Sequence, residues 1–277
     1  TFGLRYDKNE VTDHPNNKNK TESATNPTVN VVYQLDDHNT LRASYGETIS
    51  FPTVSQLYGN NGYPDLKPEK AKNYELGWKH RFDGSLTGDF AIFKNSIEDM
   101  IDTILDPGYS GGKRYANVNE AKIKGFELEL NKQFNNRTKG FLNYTFLDTT
   151  GTMVMYNYST RQKDLKNVPN HNINYGLAYQ ADKGYSFRLT GHLISSRETY
   201  DEANFNGSNS TDTRTPSTRH YNRLGGYNVM DLQIKRQMNE NQDWYINVYN
   251  IFDREYEDEL FFPAAGRTVI VGLDFKF

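Results

Sequence analysis

The chain has 277 residues, a formal net charge of −3 and no cysteine. Without thiols there is no disulfide framework, zinc knuckle or thiol nucleophile, and without a basic excess nucleic acid is not an expected partner. The mean hydropathy of −0.85 goes with no apolar run long enough for a bilayer-spanning helix, yet 20 Tyr, 16 Phe and 2 Trp make 14% of the chain aromatic, which a disordered chain would lack.

Polarity with abundant aromatics fits a transmembrane β-barrel, in which half of each strand faces water and aromatic girdles mark both interfaces. In chain order, Thr1–Asn9 already reads as a strand, with no charged and apolar leader before it. The sequence is therefore expected to be a mature protein or a piece of a longer one. Further on, Tyr74, Leu76, Trp78 and Phe82 share one face. Ile173, Tyr175, Leu177 and Tyr179 do the same, as do Tyr185, Phe187, Leu189 and Leu193, with polar or small residues between them. Such period-two alternation predicts strands with one apolar face. About twelve segments qualify, at 2–8, 27–36, 39–48, 72–83, 84–98, 120–134, 136–149, 169–182, 183–199, 225–238, 242–252 and 266–277.

The connections alternate in length. Short ones carry turn residues at Asp36-Asp37-His38, Asp83-Gly84, Asn135-Asn136, Asp182-Lys183-Gly184 and Asn239-Glu240-Asn241, where Asp-Gly is a two-residue hairpin signal. Long ones fill 9–26, 49–71, 99–119, 150–168, 200–224 and 253–265. This is the layout of an antiparallel up-and-down barrel with tight periplasmic turns and extended extracellular loops. In the last segment Val269, Val271, Leu273, Phe275 and Phe277 share a face. Phe277 is expected to act as the terminal aromatic signal for barrel assembly.

No reaction chemistry is legible. The six histidines (His14, His38, His80, His171, His192, His220) show no i, i+4 metal-helix spacing, and no G-x-S-x-G occurs. No catalytic residue, resident cofactor or metal is expected, and the chain is not read as an enzyme. Tyr109-Ser110-Gly111-Gly112-Lys113-Arg114 lacks the spacing and the trailing hydroxyl of a P-loop.

Several stretches resemble TonB-dependent outer-membrane receptors. They are Leu41–Glu47 followed by Phe51-Pro52-Thr53 and Gln56-Leu57-Tyr58-Gly59; Tyr63-Pro64-Asp65-Leu66-Lys67-Pro68-Glu69 followed by Tyr74-Glu75-Leu76-Gly77; Asn117–Glu127; Asn250–Tyr256; and Pro263–Thr268. They run in family order, and the segments from Gln56 to Lys70 look most like the cobalamin and catecholate-siderophore branch. The resemblance implies that residues 1–277 are the C-terminal portion of a 22-stranded barrel, without its N-terminal plug. It implies import of a ferric siderophore or cobalamin across the bacterial outer membrane. The partners would be the TonB-ExbB-ExbD complex, reached through the missing N-terminal region, and outer-membrane lipid and lipopolysaccharide. Haem is disfavoured, since no histidine lies between Phe51 and Pro64.

Large, rigid, anionic cargo favours aromatic and Arg contacts from the loops. Phe51, Tyr58, Tyr63, Arg114, Tyr115, Tyr156, Tyr200, Arg223 and Phe262 are the ligand-binding candidates, with Tyr109, Tyr158, Arg161, Phe205 and Phe261 nearby in the same loops. Pro64–Glu69 reads first as a stiffened loop entering a strand, and Arg267 as a lumenal pairing residue. Asp201, Glu202, Asp212, Asp258 and Glu259 read as solvated charge before calcium or lipopolysaccharide-bridging cation ligands. The alternative class is a self-contained twelve-stranded passive pore or adhesin-like barrel; a third is a barrel-borne hydrolase.

Overall fold

A computed structural model of the chain describes residues 1–13, 18–106, 108–109, 112–154, 160–165, 167–200 and 221–276. In chain order the elements are β1 (Phe2–Asp13), β2 (Lys18–Gln34), β3 (Asn39–Ser50), α1 (Val54–Tyr58), β4 (Glu69–Arg81), β5 (Leu86–Leu105), β6 (Lys113–Asn135), β7 (Thr138–Val154), β8 (Thr160–Lys163), β9 (His171–Gln180), β10 (Tyr185–Ile194), β11 (Arg197–Tyr200), β12 (Tyr221–Leu224), β13 (Tyr227–Asn239), β14 (Gln242–Tyr249), β15 (Glu257–Glu259), β16 (Phe262–Pro263) and β17 (Thr268–Phe275). The main sheet runs β1-β2-β3-β4-β5-β6-β7-β9-β10-β13-β14-β17, each strand antiparallel to the next, with β8 added to β7. Among the described residues nothing pairs β1 with β17, so both margins of the sheet are open.

The apolar alternation sets the two faces. Register places Leu41 opposite Trp78, Trp78 opposite Phe90, Leu76 opposite Ile92 and Ile92 opposite Phe126. The band continues through Leu177 opposite Leu189, Leu189 opposite Leu232, Leu232 opposite Val248 and Val248 opposite Val269. Because side chains alternate sides along a strand, one apolar face crosses the whole sheet. Leu76, Leu177 and Leu273 on that face stay 58%, 46% and 60% exposed. A face this apolar and this exposed is built for lipid. The other face is polar: Arg42 pairs with Glu75 (2.8 Å) and Asp89 (2.6 Å), and Lys235 with Asp243 (2.7 Å). This is the lumenal side of a barrel wall.

All short turns fall at one end and all long connections at the other, as the alternating lengths predict. Two of the expected long loops, 9–26 and 99–119, are mostly strand, however. β1 and β2 continue to Asp13 and Lys18, and β5 and β6 pair out to Leu105 and Lys113. Beyond the lipid both faces meet water, so Lys18–Ser23 carries no apolar alternation to read, though its ladder is complete.

The Asp83-Gly84 turn also differs from expectation. It is not a two-residue hairpin: Phe82 N–H donates to Leu86 O (3.0 Å), and Gly84 is not in the left-handed region. The Asp83 carboxylate instead accepts from Ser85 N, Leu86 N and Ser85 Oγ at 2.6–2.7 Å. Those donors, the Ser85 hydroxyl foremost, hold the Asp83 carboxyl down at about 2. A depressed carboxylate contributes stability above its unfolded value, near 4, and loses it as pH falls toward the folded value. We therefore expect the turn's contribution to be constant from neutral pH to about pH 5 and lost between about pH 4 and 2. An NMR titration of the Asp83 carboxyl carbon checks this; a midpoint at the ordinary carboxylate value would contradict it.

Candidate functional site

At the loop end, the segment between β3 and β4 folds back over the lumenal side of the sheet. Thr53 caps α1: its Oγ1 accepts from Gln56 N (3.3 Å), while Gln56 Oε1 accepts from Thr53 N (2.8 Å), a reciprocal capping box. α1 then delivers Leu57, 1% exposed, beside Leu66, fully buried, and Val11 of β1. Tyr58, Tyr63, Ile101 and Tyr115 pack around these three. Val11 and its register partner Lys20 lie on the lumenal parity, opposite to Phe2, Leu4 and Tyr6. The Lys20 ammonium donates to the carbonyls of Pro64 (3.0 Å) and Leu66.

Hydrogen bonds staple this loop to the extended β5–β6 ribbon. Asp99 takes φ 56, which breaks the ladder of β5. The freed Ile101 N–H donates to Glu69 Oε1 (2.7 Å). Asn117 of β6 closes the other side: Nδ2 donates to Lys67 O (2.9 Å) and Asp99 O (2.6 Å), and Oδ1 accepts from Lys67 N (2.8 Å). Tyr115 N donates to Asn61 O (2.9 Å). The Pro64–Glu69 and Asn117 stretches are thus two halves of one fastening, in keeping with the structural reading of the former.

Arg114 is held in place within this cluster. Its Nε donates to Asp106 Oδ2 (2.7 Å), Nη1 donates to Tyr115 O (3.1 Å), and the guanidinium lies 4.3 Å from the Tyr63 ring centroid. Arg114, and after it the Gly108 N–H, hold the Asp106 carboxyl below its usual value.

A second cluster joins two other loops, and no sequence signal announced it. Arg197 of β11 is buried. Its Nη2 donates to Asp258 O (2.6 Å) and Glu257 O (3.2 Å) and lies 3.5 Å from the Asp258 carboxylate. Tyr227 donates its hydroxyl to the same carboxylate and packs on Tyr256 with centroids 4.2 Å apart. Asp258, expected as solvated charge or a cation ligand, does stay exposed, its side chain 66% accessible, and through its carbonyl and carboxylate it also clasps the β15–β16 ribbon to the β11–β12 ribbon. Replacing Arg197 with Met should release the last loop, seen as faster proteolysis between β14 and β17; unchanged cleavage would remove the clasp.

The Asn250–Tyr256 segment is structural as expected. Asn250 is buried at φ 52, accepts from Arg254 N (2.8 Å) and donates to Arg254 O (2.9 Å). Asp253 accepts from Arg267 N (2.7 Å), and Arg267 Nη2 lies 3.8 Å from Asp253. Arg267 directly precedes β17, so this pairing ties the two ends of the last loop together.

The structure thus brings Tyr58, Tyr63, Arg114 and Tyr115 into one cluster, with Phe51 half-buried at the start of the same loop. Tyr200 lies on β11, opposite Tyr221. Arg223 of β12 is exposed and donates to Ser196 Oγ (2.6 Å and 3.0 Å). Phe262 is 66% exposed beside Phe261, 67% exposed and held at φ 70. Tyr156, Tyr158, Phe205, His14, His220, Asp201, Glu202, Asp212 and Phe277 lie outside the described residues.

The family model described as "TonB dependent receptor-like, beta-barrel" matches residues 1–251. The chain belongs to the TonB-dependent receptor family. Solved structures of similar fold include the copper transporter OprC, at 20% identity and a TM-score of 0.77, where the match covers 100% of this chain and 44% of that one. The FrpB iron transporter from Neisseria meningitidis (F5-1 variant) is 18% identical with a TM-score of 0.77 over 100% of this chain and 43% of its own. The siderophore receptor PiuA from Acinetobacter baumannii is 20% identical with a TM-score of 0.73 over 100% and 40%. The chain therefore spans less than half the length of these solved structures.

Proposed function

We propose that this chain is the C-terminal barrel portion of an outer-membrane receptor that captures a ferric siderophore and imports it with energy delivered through TonB and its ExbB-ExbD partners. The observation that carries the reading is the concentration of aromatic and Arg side chains at the loop end, over the lumenal side of a lipid-facing wall. Siderophore-related neighbours such as PiuA support the cargo class; cobalamin has no such support here, and the copper transporter makes copper a necessary control. The open β1 and β17 margins favour this reading over a self-contained pore.

The candidates divide into two roles. Tyr58, Tyr63, Arg114 and Tyr115 are packed or paired and order the loop. Phe262 and Phe261 are free to meet cargo, and a bulky residue held at positive φ is the kind of local strain that gathers at ligand clamps. Replacing both with Ala should weaken ferric-siderophore binding by about ten-fold or more. The test is uptake of iron-55 siderophores of the catecholate, hydroxamate and carboxylate classes, with cobalamin and copper as controls, by cells making the full-length receptor. TonB-dependent uptake of one iron class supports the proposal. Uptake that persists without TonB, or no iron uptake at all, overturns it.

A further inference from the structure

We infer that the outer face of β3–β6 holds a phosphorylated lipid of the outer leaflet, with its phosphate on Lys94 and Lys124 and an acyl chain in the groove below them. Lys94 stands directly opposite Lys124 in the β5–β6 ladder. Both share the parity of Ile92 and Phe126, so both leave the outer face, and both are exposed. Directly opposed cross-strand side chains have Cβ atoms about 5 Å apart, and like charges there repel. Among the described residues neither ammonium has an ion pair or hydrogen bond. The neighbouring Lys72 and Lys122 are matched within the chain to Glu98 (3.3 Å) and Glu120. Asp148 is the register partner of Lys124 but makes no ion pair with it. The two cations therefore lack a bridging anion.

Immediately toward the membrane from Lys94 lies a groove of about 440 Å³, lined by Val29, Val31, Ala43, Leu76 and Ile92 with Lys94 at its rim. It exists because Ala43 is short where its ladder partners Val31 and Leu76 are large. The lysines lie on the loop-end side of the groove and so at the extracellular interface, where Tyr45 and Tyr74 contribute to the aromatic girdle. An apolar slot crowned by two unmatched cations at that depth complements an acyl chain with a phosphate above it. The outer-leaflet lipid with that chemistry is the bisphosphorylated lipid A portion of lipopolysaccharide. Tyr45 and Tyr74, with ring centroids 5.0 Å apart, flank the slot.

This inference rests on the outer-membrane reading but not on the cargo. The experiment is native mass spectrometry of the full-length receptor, with bisphosphorylated and dephosphorylated lipid A as probes and heat-modifiable migration as the check on folding. The wild type should retain bisphosphorylated lipid A, and the Lys94→Gln/Lys124→Gln pair should lose at least ten-fold of it. The Lys94→Arg/Lys124→Arg pair and lumenal Lys79→Gln should retain it. Equal retention by the Gln pair, equal retention of dephosphorylated lipid A, equal loss in Lys79→Gln, or displacement by inorganic phosphate at the same concentration would each overturn it. Siderophore uptake is read separately, so a wrong cargo and a wrong lipid site are distinguishable.

Discussion

Replacing Leu66 with Ala should open the loop between β3 and β4 while leaving the barrel wall intact. Leu66 is fully buried against Leu57 and Val11, and the cavity left by truncating such a leucine costs about 2–5 kcal/mol. That cost falls on the local cluster, because the wall below is held by its own ladder. Even the lower figure multiplies the opened population about 30-fold. Limited proteolysis should cut the 51–68 loop much faster in Leu66→Ala than in wild type, with heat-modifiable migration unchanged. If cleavage is unaltered, the cluster is not what orders the loop. If migration changes, the cluster is coupled to the wall more tightly than its contacts indicate. Glu69→Ala should act in the same direction more weakly, since it removes one acceptor of the Ile101 N–H.

The second large effect is expected on the opposite face. Arg in place of Leu76 or Leu273 should impair folding into vesicles, by about 2–4 kcal/mol near the bilayer midplane and less toward the interfaces; Asp should cost less than Arg. The physical cause is a charge on the band that stays exposed in the chain and is covered only by hydrocarbon. Thr145→Arg is the control: its ladder partner is Glu127 on the lumenal face, where water and carboxylates receive the new charge. Equal folding yields for Leu76→Arg and Thr145→Arg would refute the assignment of faces.

The wall was legible because lipid imposes a rule that every spanning strand obeys. Alternation gave the twelve strands of the main path, the outward parity of Leu76, Leu177 and Leu273, and the end at which short turns gather. Legibility stopped where that rule stops. Above the membrane Lys18–Ser23 is polar on both faces, so a complete ladder read as loop. At the Asp83 turn the Asp-Gly pair pointed to backbone geometry, whereas side-chain capping decides the conformation.

The candidate site was legible in its members and not in its bonds. Tyr58, Tyr63, Arg114 and Tyr115 stood out by residue type, but their mutual packing depends on Leu66 and Val11, far apart in sequence. Asn117 bonds Lys67 across fifty residues and Arg197 bonds Asp258 across sixty-one, separations at which no local pattern exists. Asp258 shows the consequence: it is solvated, as its loop suggested, but only the fold supplies its Arg and Tyr partners.

The staple between the β3–β4 loop and the β5–β6 ribbon also bears on the order in which the molecule assembles. Most neighbouring strands of the wall are joined over a few residues, β3–β4, β7–β9, β10–β13 and β14–β17 being the exceptions, so much of the ladder forms by a low-contact-order process that can advance strand by strand. The cluster of Val11, Leu57, Leu66 and Tyr115 needs β1, the loop and β6 all in place before any of its burial is gained. Loop-closure entropy therefore makes it a late event, with its contacts absent from the transition state of the wall. Strengthening or weakening the staple should change how fast the extracellular cap lets go and leave the rate of barrel insertion nearly untouched.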